Sequence, residues 1–415
     1  MNKSVKPKIL IALWRFPYPT IDGTRYKILH NVVGSLMGDY DIEFLVISIE
    51  PVSKDSIAHV EEHFGKVYLF QHSKIIFLAK FLFGFLSGLF SRLPMQVVGY
   101  YFKDAQNWLN KNIQNYEAVY VHEIRTGHYF SKDFKNAQDK SKIIFDFNDA
   151  ISLNYKQNMK FAKFPMNIFY YIEGSRVASY EKSVLGMFKN YNIVSEYDKN
   201  YLLNMLPNKN LQSNLNFTTI PHGVFVNDNQ IVNSAKNIFF VGSLGYAPNH
   251  DAVKYFLKNI WPKLHAILPE LKFFVIGKGY RFGGFSKLPN VYFPGFVPNL
   301  VNYINENECG IMVAPLRFGS GTPSKIIEAM AMGVPTITTP VGCQGISGVK
   351  NGQDIITIDY KNIDEWVDSI IHLINNSEER EAFGQNAKRF IIENNEISLV
   401  QKKWLEAFTK ITKGD

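Results

Sequence analysis

The sequence predicts an α/β protein made of two doubly wound domains, each built on a parallel sheet. Three observations carry that expectation. A strand, a glycine turn and a helix open each half of the chain: Lys8 to Leu13 with Gly23, and Asn237 to Val241 with Gly242 and Gly245. The stretch from Cys309 to Pro335 repeats that unit and adds a further strand. The 415 residues suffice for two large cores, and a polar stretch from Asn227 to Lys236 separates the halves. The expected organisation is a first domain over 1–226, a linker over 227–236, a second domain over 237–391, and a last helix within 392–415 that crosses back to the first domain.

The second half is organised around Gly310 to Thr338. Gly310 to Pro315 is an apolar run of buried-strand length. Arg317 precedes a loop containing Gly319, Ser320 and Gly321. Thr322 reads as an N-cap and Pro323 as the first helical residue. Ile326, Ile327, Met330 and Ala331 form one apolar helical face, and Gly333 ends the helix. A helix start behind glycines presents free N–H groups and the positive end of a dipole, so it suits an anion. Lys325, at about the third helical position, is disfavoured by that dipole unless a bound anion offsets it. Glu328, one turn later, could accept hydrogen bonds from sugar hydroxyls. The two also read as a solvated surface pair.

This stretch resembles the donor-binding segment of retaining GT-B glycosyltransferases of family 4. In their Glu-x7-Glu pattern Glu328 matches the second glutamate, and Ser320 stands where the first would fall. The resemblance implies two Rossmann-like domains facing a cleft, a nucleotide-sugar donor, retention of configuration, and no bound metal or cofactor. It implies donor contacts from Gly242, Ser243, Phe296, Gly319, Ser320, Gly321, Thr322 and Glu328. Many of these enzymes hold the diphosphate with an Arg and a Lys after the first glycine of the second domain; here Ser243 and Leu244 follow Gly242. Arg317 and Lys325 are therefore expected to supply that charge. His122, in His122-Glu123 after a strand, matches a histidine near the transferred sugar. Gly23 matches a glycine on the acceptor side, where Asp22-Gly23 replaces the common Gly-Gly pair. His222-Gly223-Val224 resembles the Asn-Gly-Val turn at the domain junction.

In order, further strands are expected at 42–49, 66–70, 117–121, 142–146, 192–195 and 218–222. In the second half they are expected at 272–276, 334–338 and 354–358, and 291–297 resembles the family segment before the donor loop, whose backbone often touches the nucleobase. Helices are expected at 26–37, 102–113, 173–184, from Pro248 towards Trp261, and at 363–375, 378–391 and 399–411. His122 gains weight from its place at a strand end, where open parallel sheets put their sites; a lone histidine also reads as structural. Arg125 and His128 are weaker candidates on the same loop. Asp146 and Asp149 could orient an acceptor hydroxyl, and at least one is expected to cap the next helix. Residues 169–171 read as packing.

A hydrophobic share of 46% and a charged share of 20% describe a folded protein. A net charge of +8 invites a nucleic acid, an anionic membrane or a phosphorylated substrate. No zinc spacing, arginine-rich tract or RNA-binding motif favours nucleic acid. The two cysteines, Cys309 and Cys343, read as core thiols. Ile9 to Leu13 is too short for a signal-peptide core, so the protein is expected in the cytoplasm. Residues 75–90 are rich in Phe and Leu, interrupted by Lys80, and shorter than a membrane span. They read either as an interfacial helix on the inner face of an anionic membrane, or as a core helix. The function expected is transfer of a sugar from a nucleotide-sugar to a glycan or lipid-linked acceptor in cell-envelope synthesis. A nucleotide-sugar epimerase of the same fold and a membrane-bound scaffold with a degenerate site are the alternatives.

Overall fold

Apolar strands, each followed by a turn and a helix, line up in two separate parallel sheets. The computed structural model describes residues 6–87, 93–130, 140–208, 212–226, 236–279 and 283–413. It divides into two units. The first comprises residues 1–223 with 398–415, and the second residues 224–397. The expected boundaries of 226 and 391 thus lie at 223 and 397, and of the expected linker only Lys236 is among the described residues.

The sheet of the first unit contains β1 (Lys8–Leu13), β2 (Asp41–Ser48), β3 (Lys66–Gln71), β4 (Ala118–His122), β5 (Ile143–Asp146), β6 (Asn190–Ile193) and β7 (Asn216–Thr219). Its order is β3-β2-β1-β4-β5-β6-β7, and every pairing is parallel. Ile9 to Leu13 are inaccessible on both faces, because helices cover both sides of such a sheet. These are α1 (residues 23–36), α2 (Lys54–His63), α3 (Lys74–Ser87), α4 (Met95–Gly99), α5 (Lys103–Asn112), α6 (Glu123–Gly127), α7 (Ile151–Phe161), α8 (Met166–Val184) and α9 (Glu196–Leu203). Val400, Trp404 and Phe408, from the end of the chain, are buried with Ile28, Leu29 and Val32 of α1 in one core.

The second unit contains β8 (Asn237–Val241), β9 (Phe273–Ile276), β10 (Val291–Gly295), β11 (Cys309–Ala314), β12 (Thr336–Thr338) and β13 (Ile356–Thr357), in the order β10-β9-β8-β11-β12-β13. Its helices are α10 (residues 247–267), α11 (Leu300–Glu306), α12 (Ser324–Ala331), α13 (Pro340–Cys343), α14 (Ile363–Asn375) and α15 (Ser377–Asn394). The last helix, α16 (Ile397–Lys413), begins at the unit boundary. Both cysteines are unpaired thiols, Cys309 buried and Cys343 half-buried.

Each sheet reverses direction once, at β1/β4 and at β8/β11. Ligands of open parallel sheets bind outside the carboxyl ends of the strands at such a reversal. The loops there carry Gly23 and His122 in the first unit, and Gly242 and Gly319 to Lys325 in the second.

Two local expectations are corrected and a third holds in part. Neither Asp146 nor Asp149 caps α7: Ala150 N donates to Asp198 Oδ1 at 3.1 Å, and Ser152 N donates to the Glu181 carboxyl at 3.3 Å. Buried acids from two neighbouring helices, Asp198 of α9 and Glu181 of α8, take those donors. Residues 169–171 lie within α8: Phe169 and Tyr170 pack on Tyr155 as expected, while Tyr171 is exposed with Met166 and Ile168. The Phe-rich stretch is helical over Lys74–Ser87 and not a core helix over its described part, for Ile75, Leu78 and Phe83 are exposed; residues 88–90 lie outside the described residues.

Candidate functional site

In the second unit, close backbone packing shapes the loops. A Cβ on Gly277 would lie 1.9 Å from Gly242 O, and one on Gly345 would lie 2.2 Å from Gly321 O. The turns after β8, β9 and β10 are stitched together: Gly242 N donates to Ile276 O at 3.0 Å, Leu244 N to Lys278 O at 2.7 Å, and Gly277 N to Gly295 O at 2.8 Å. Gln344 Nε2 donates to Gly319 O at 3.0 Å and holds the second glycine loop from behind. Gly321, at φ 68°, takes the left-handed turn that favours glycine.

Thr322 does not cap α12. Its hydroxyl donates to Gly345 O at 2.8 Å, Pro323 occupies the cap position, and the helix starts at Ser324. Lys325 is therefore the second helical residue, nearer the dipole's positive end than expected. Its side chain crosses to the β8 turn: a Cβ on Gly242 would lie 3.1 Å from Lys325 Cε and 2.7 Å from Asn249 Nδ2. Lys325 has no ion pair or hydrogen bond among the described residues, and burial pushes its ammonium pKa down to about 8, against the opposing charge of Glu328. Glu328 is exposed. Lys325, at the start of a helix, and the Gly242 turn thus lie side by side. A cation beside a glycine turn at a helix start is an arrangement that can take an anion; Leu244 is buried in the core.

Arg317, the other expected cation, is already paired. It forms a two-pronged ion pair with Asp251, its Nε 2.7 Å from Oδ2, and lies over Tyr255 and Tyr360, 4.9 and 5.7 Å from their ring centres. That carboxylate neutralises it and raises its pKa. Phe296 is exposed, with Lys278 Nζ 4.6 Å from its ring centre. Asn249 donates to Ser243 O at 2.9 Å, and its own Oδ1 is buried without a partner.

The corresponding edge of the first unit is a buried charge network. His122 ends β4 with no solvent exposure. Its Nε2 is 3.3 Å from Glu123 Oε1, and its Nδ1 is 3.3 Å from the Tyr120 hydroxyl and 3.8 Å from Asp146 Oδ2. Burial pushes the imidazole pKa down, but Glu123 and Asp146 outweigh it, so the net shift is upward. Asp146 is held far below the usual carboxylate range despite its burial, by Lys27 and then His122. Lys27 Nζ lies 2.6 Å from Asp146 Oδ2, and Asn192 and Asn148 N donate to Oδ1 at 2.9 and 3.1 Å. Glu123 takes φ 60°, pairs with Arg125, and is held down to about 2 by Arg125 and His122 against its burial. Gly23 opens α1 behind Asp22, whose carboxylate accepts from Arg25 N at 3.0 Å. Asp149 is half-buried beside Glu181, whose carboxyl pKa its charge helps to raise. His222 is buried and pushed down to about 3 by desolvation and then by Lys27.

Lys27 was missed by sequence reasoning. The available signal was its i,i+4 spacing from Asn31 in a helix otherwise apolar on that side; both are fully buried. Asp251 and Glu181 gave no such signal, because their partners Arg317 and Ser152 are distant in sequence. Among the described residues no group of His, Cys, Asp and Glu is arranged to hold a metal ion, and no helix is long and apolar enough to cross a membrane.

With this geometry in view, the chain was compared with known proteins. Residues 235–376 match the family model described as Glycosyl transferases group 1. A curated relative, an uncharacterized 44.6 kDa protein in the cps region of Klebsiella pneumoniae, is 22% identical over 406 residues, spanning 93% of this chain and 96% of its own. Among solved structures, sucrose-phosphate synthase from Thermosynechococcus elongatus superposes with a TM-score of 0.70 at 12% identity, covering 99% of this chain and 100% of that one. A TarM variant from S. aureus, solved with Fondaparinux, alpha-GlcNAc-glycerol and UDP, gives 0.66 at 13% identity, covering 97% and 99%. The second unit is thus similar in sequence to group 1 glycosyl transferases, and the whole chain has the two-domain α/β fold of GT-B glycosyltransferases.

Proposed function

We propose that this protein is a glycosyltransferase that takes a sugar from a nucleoside-diphosphate donor and passes it to a glycan or lipid-linked acceptor. The observation that carries this reading is Lys325 extended beside Gly242, at a helix start and without an ion pair among the described residues. A departing nucleoside diphosphate concentrates negative charge, and preorganised donors aimed at that charge lower the barrier. Lys325 and the N–H groups after Gly321 would take the diphosphate, and Glu328 the hydroxyls of the donor. The second-unit likeness to group 1 glycosyl transferases and the UDP held by TarM support this assignment. Arg317 acts indirectly in this reading, by fixing Asp251 and the β11 turn.

On the acceptor side, His122 would face the transferred sugar, with Gly23 and Asp149 lining the approach. Retention, metal independence and membership of family 4 belong to the same proposal and rest on the family resemblance of the stretch from Cys309 to Pro335. The relative in the cps region supports a cell-envelope polysaccharide as the product class. A panel of nucleoside diphosphates and nucleotide-sugars, scored by thermal shift, tests the reading, since a ligand of the native state raises its melting point. At least one should stabilise the protein, and Lys325→Gln should abolish the shift. A panel without any stabilising member would overturn the assignment. A nucleotide-sugar converted without an acceptor would favour an epimerase.

A further inference from the structure

Ten of the 20 exposed large hydrophobic side chains of the described residues belong to two short segments of the first unit. On α3 these are Ile75, Ile76, Leu78, Leu82 and Phe83; on and just before α8 they are Phe164, Met166, Ile168, Tyr171 and Ile172. Phe83 is 67% exposed and Phe164 78%. An apolar surface of this kind on a soluble fold marks an interaction site.

The helices are firmly anchored behind these faces. Phe77 packs on Tyr100, with ring centres 5.1 Å apart, and on Gly99; Gly84 lies against Val98. Lys80, interrupting the apolar run, turns back to donate to Tyr101 O at 2.7 Å and sits 3.9 Å from the Phe102 ring centre. One side of α3 is thus committed to α4 and its flank, which leaves the other without a partner. α8 grips the same small helix: the Glu173 carboxyl accepts from Met95 N at 2.6 Å. Tyr155 packs against Gly174, so α7 and α8 form a hairpin whose turn carries Lys163, Phe164 and Pro165.

Charge decides what covers these faces. Between Glu62 and Asp104 the chain has no acidic residue and five basic ones: Lys66, Lys74, Lys80, Arg92 and Lys103. Between Asp149 and Glu173 it again has none, with Lys156, Lys160 and Lys163 basic. The two most apolar exposed faces therefore coincide with two acid-free, basic stretches. A protein partner of ordinary composition does not require both; an anionic bilayer does, since basic residues draw the surface in and apolar side chains enter the headgroup boundary.

We infer that α3 and the α7–α8 turn form a two-point docking surface for an anionic lipid bilayer. This reading is independent of the sugar-transfer assignment, because lipid binding is measured without turnover. It requires both segments to contact the same membrane, which a single amphipathic helix would not.

The test is co-sedimentation of the full chain with vesicles of phosphatidylglycerol and phosphatidylethanolamine, beside vesicles of phosphatidylcholine alone. Wild type should bind the first and not the second, and should be released in part as salt rises from about 0.1 M to about 0.5 M. Leu82→Ser with Phe83→Ser, and separately Phe164→Ser with Met166→Ser, should each lower binding on the order of tenfold. Melting curves would confirm that these exposed substitutions leave the fold intact. Wild type that never binds overturns the proposal, as does a Phe164/Met166 variant that binds like wild type. A wild type that dimerises in light scattering, loses the dimer in either variant and ignores vesicles would assign the faces to a second copy of the chain.

Discussion

Lys27 and Asp146 form an ion pair of 2.6 Å in which neither side chain is exposed. They are 119 residues apart and join α1 to the end of β5. Removing one member of such a pair strands the other charge, at a cost of about 3–5 kcal/mol. Lys27→Met and Asp146→Asn should each lower stability on that scale in urea unfolding. A variant carrying both changes should recover part of the loss. Singles that unfold with wild type would show that the pair adds nothing.

Close packing of glycines shapes the β8 turn. Gly277→Ala places a Cβ 1.9 Å from Gly242 O, so the turn must move. Overpacking of this kind costs about 1–3 kcal/mol, and calorimetry should register weaker nucleoside-diphosphate binding as well. Gly245→Ala is the control, since its nearest neighbour, Ser243 Oγ, is 4.0 Å away. Equal effects in the two variants would mean that Gly242 is not held by this contact.

Lys325 and Glu328 separate binding from stability. Lys325→Gln removes a cation that the helix dipole disfavours, so the free protein should be as stable as wild type or slightly more stable. Its affinity for a nucleoside diphosphate should fall. Glu328→Ala should lose about 1–3 kcal/mol of donor binding while folding normally, the worth of hydrogen bonds to a charged group. If Lys325→Gln lowers the melting point of the free protein and binds ligand as before, the lysine is structural.

Glu181 sets a pH dependence. Burial pushes its carboxyl from 4.5 up to about 8, while it accepts hydrogen bonds from Ser152. A group with a raised folded pKa contributes fully below its unfolded value, and that contribution is lost as pH rises through the folded value. Stability from this site should therefore fall between about pH 4.5 and about pH 8, by on the order of 1–4 kcal/mol. Glu181→Gln keeps the hydrogen bonds and removes the titration. Urea midpoints across that range should fall less steeply for the variant than for wild type. Parallel curves would show that Glu181 is already ionised.

The strands were legible because a parallel strand buried on both faces reads as an unbroken apolar run; Lys8–Leu13 was expected and observed over the same residues. The glycine loop and Lys325 were legible for a local reason, since strand, turn and helix follow one another directly. Thr322 misled because its hydroxyl found the carbonyl of Gly345, 23 residues on. Asp146 misled for the same kind of reason: its partner Lys27 was distant, and the nearby sequence offered only capping or contact with an acceptor hydroxyl. Arg317 sat where a diphosphate ligand was wanted, but the position of Asp251 on α10 emerges only when the sheet is assembled. Residues whose partners are local in sequence can be read from it, and those whose partners are remote cannot.

The first unit is closed by side chains from two segments far apart in the sequence. Trp404 and Phe408 fill the core beside Ile28 and Val32. On a ribosome, the amino-terminal 223 residues emerge and then wait while the whole of 224–397 is made. Until α16 appears, that core has a hole the size of an indole and a phenyl ring. A chain ended at residue 397 and released from the ribosome should therefore hold a protease-sensitive first unit beside a resistant second one, so that folding finishes in the reverse of the order in which the units begin.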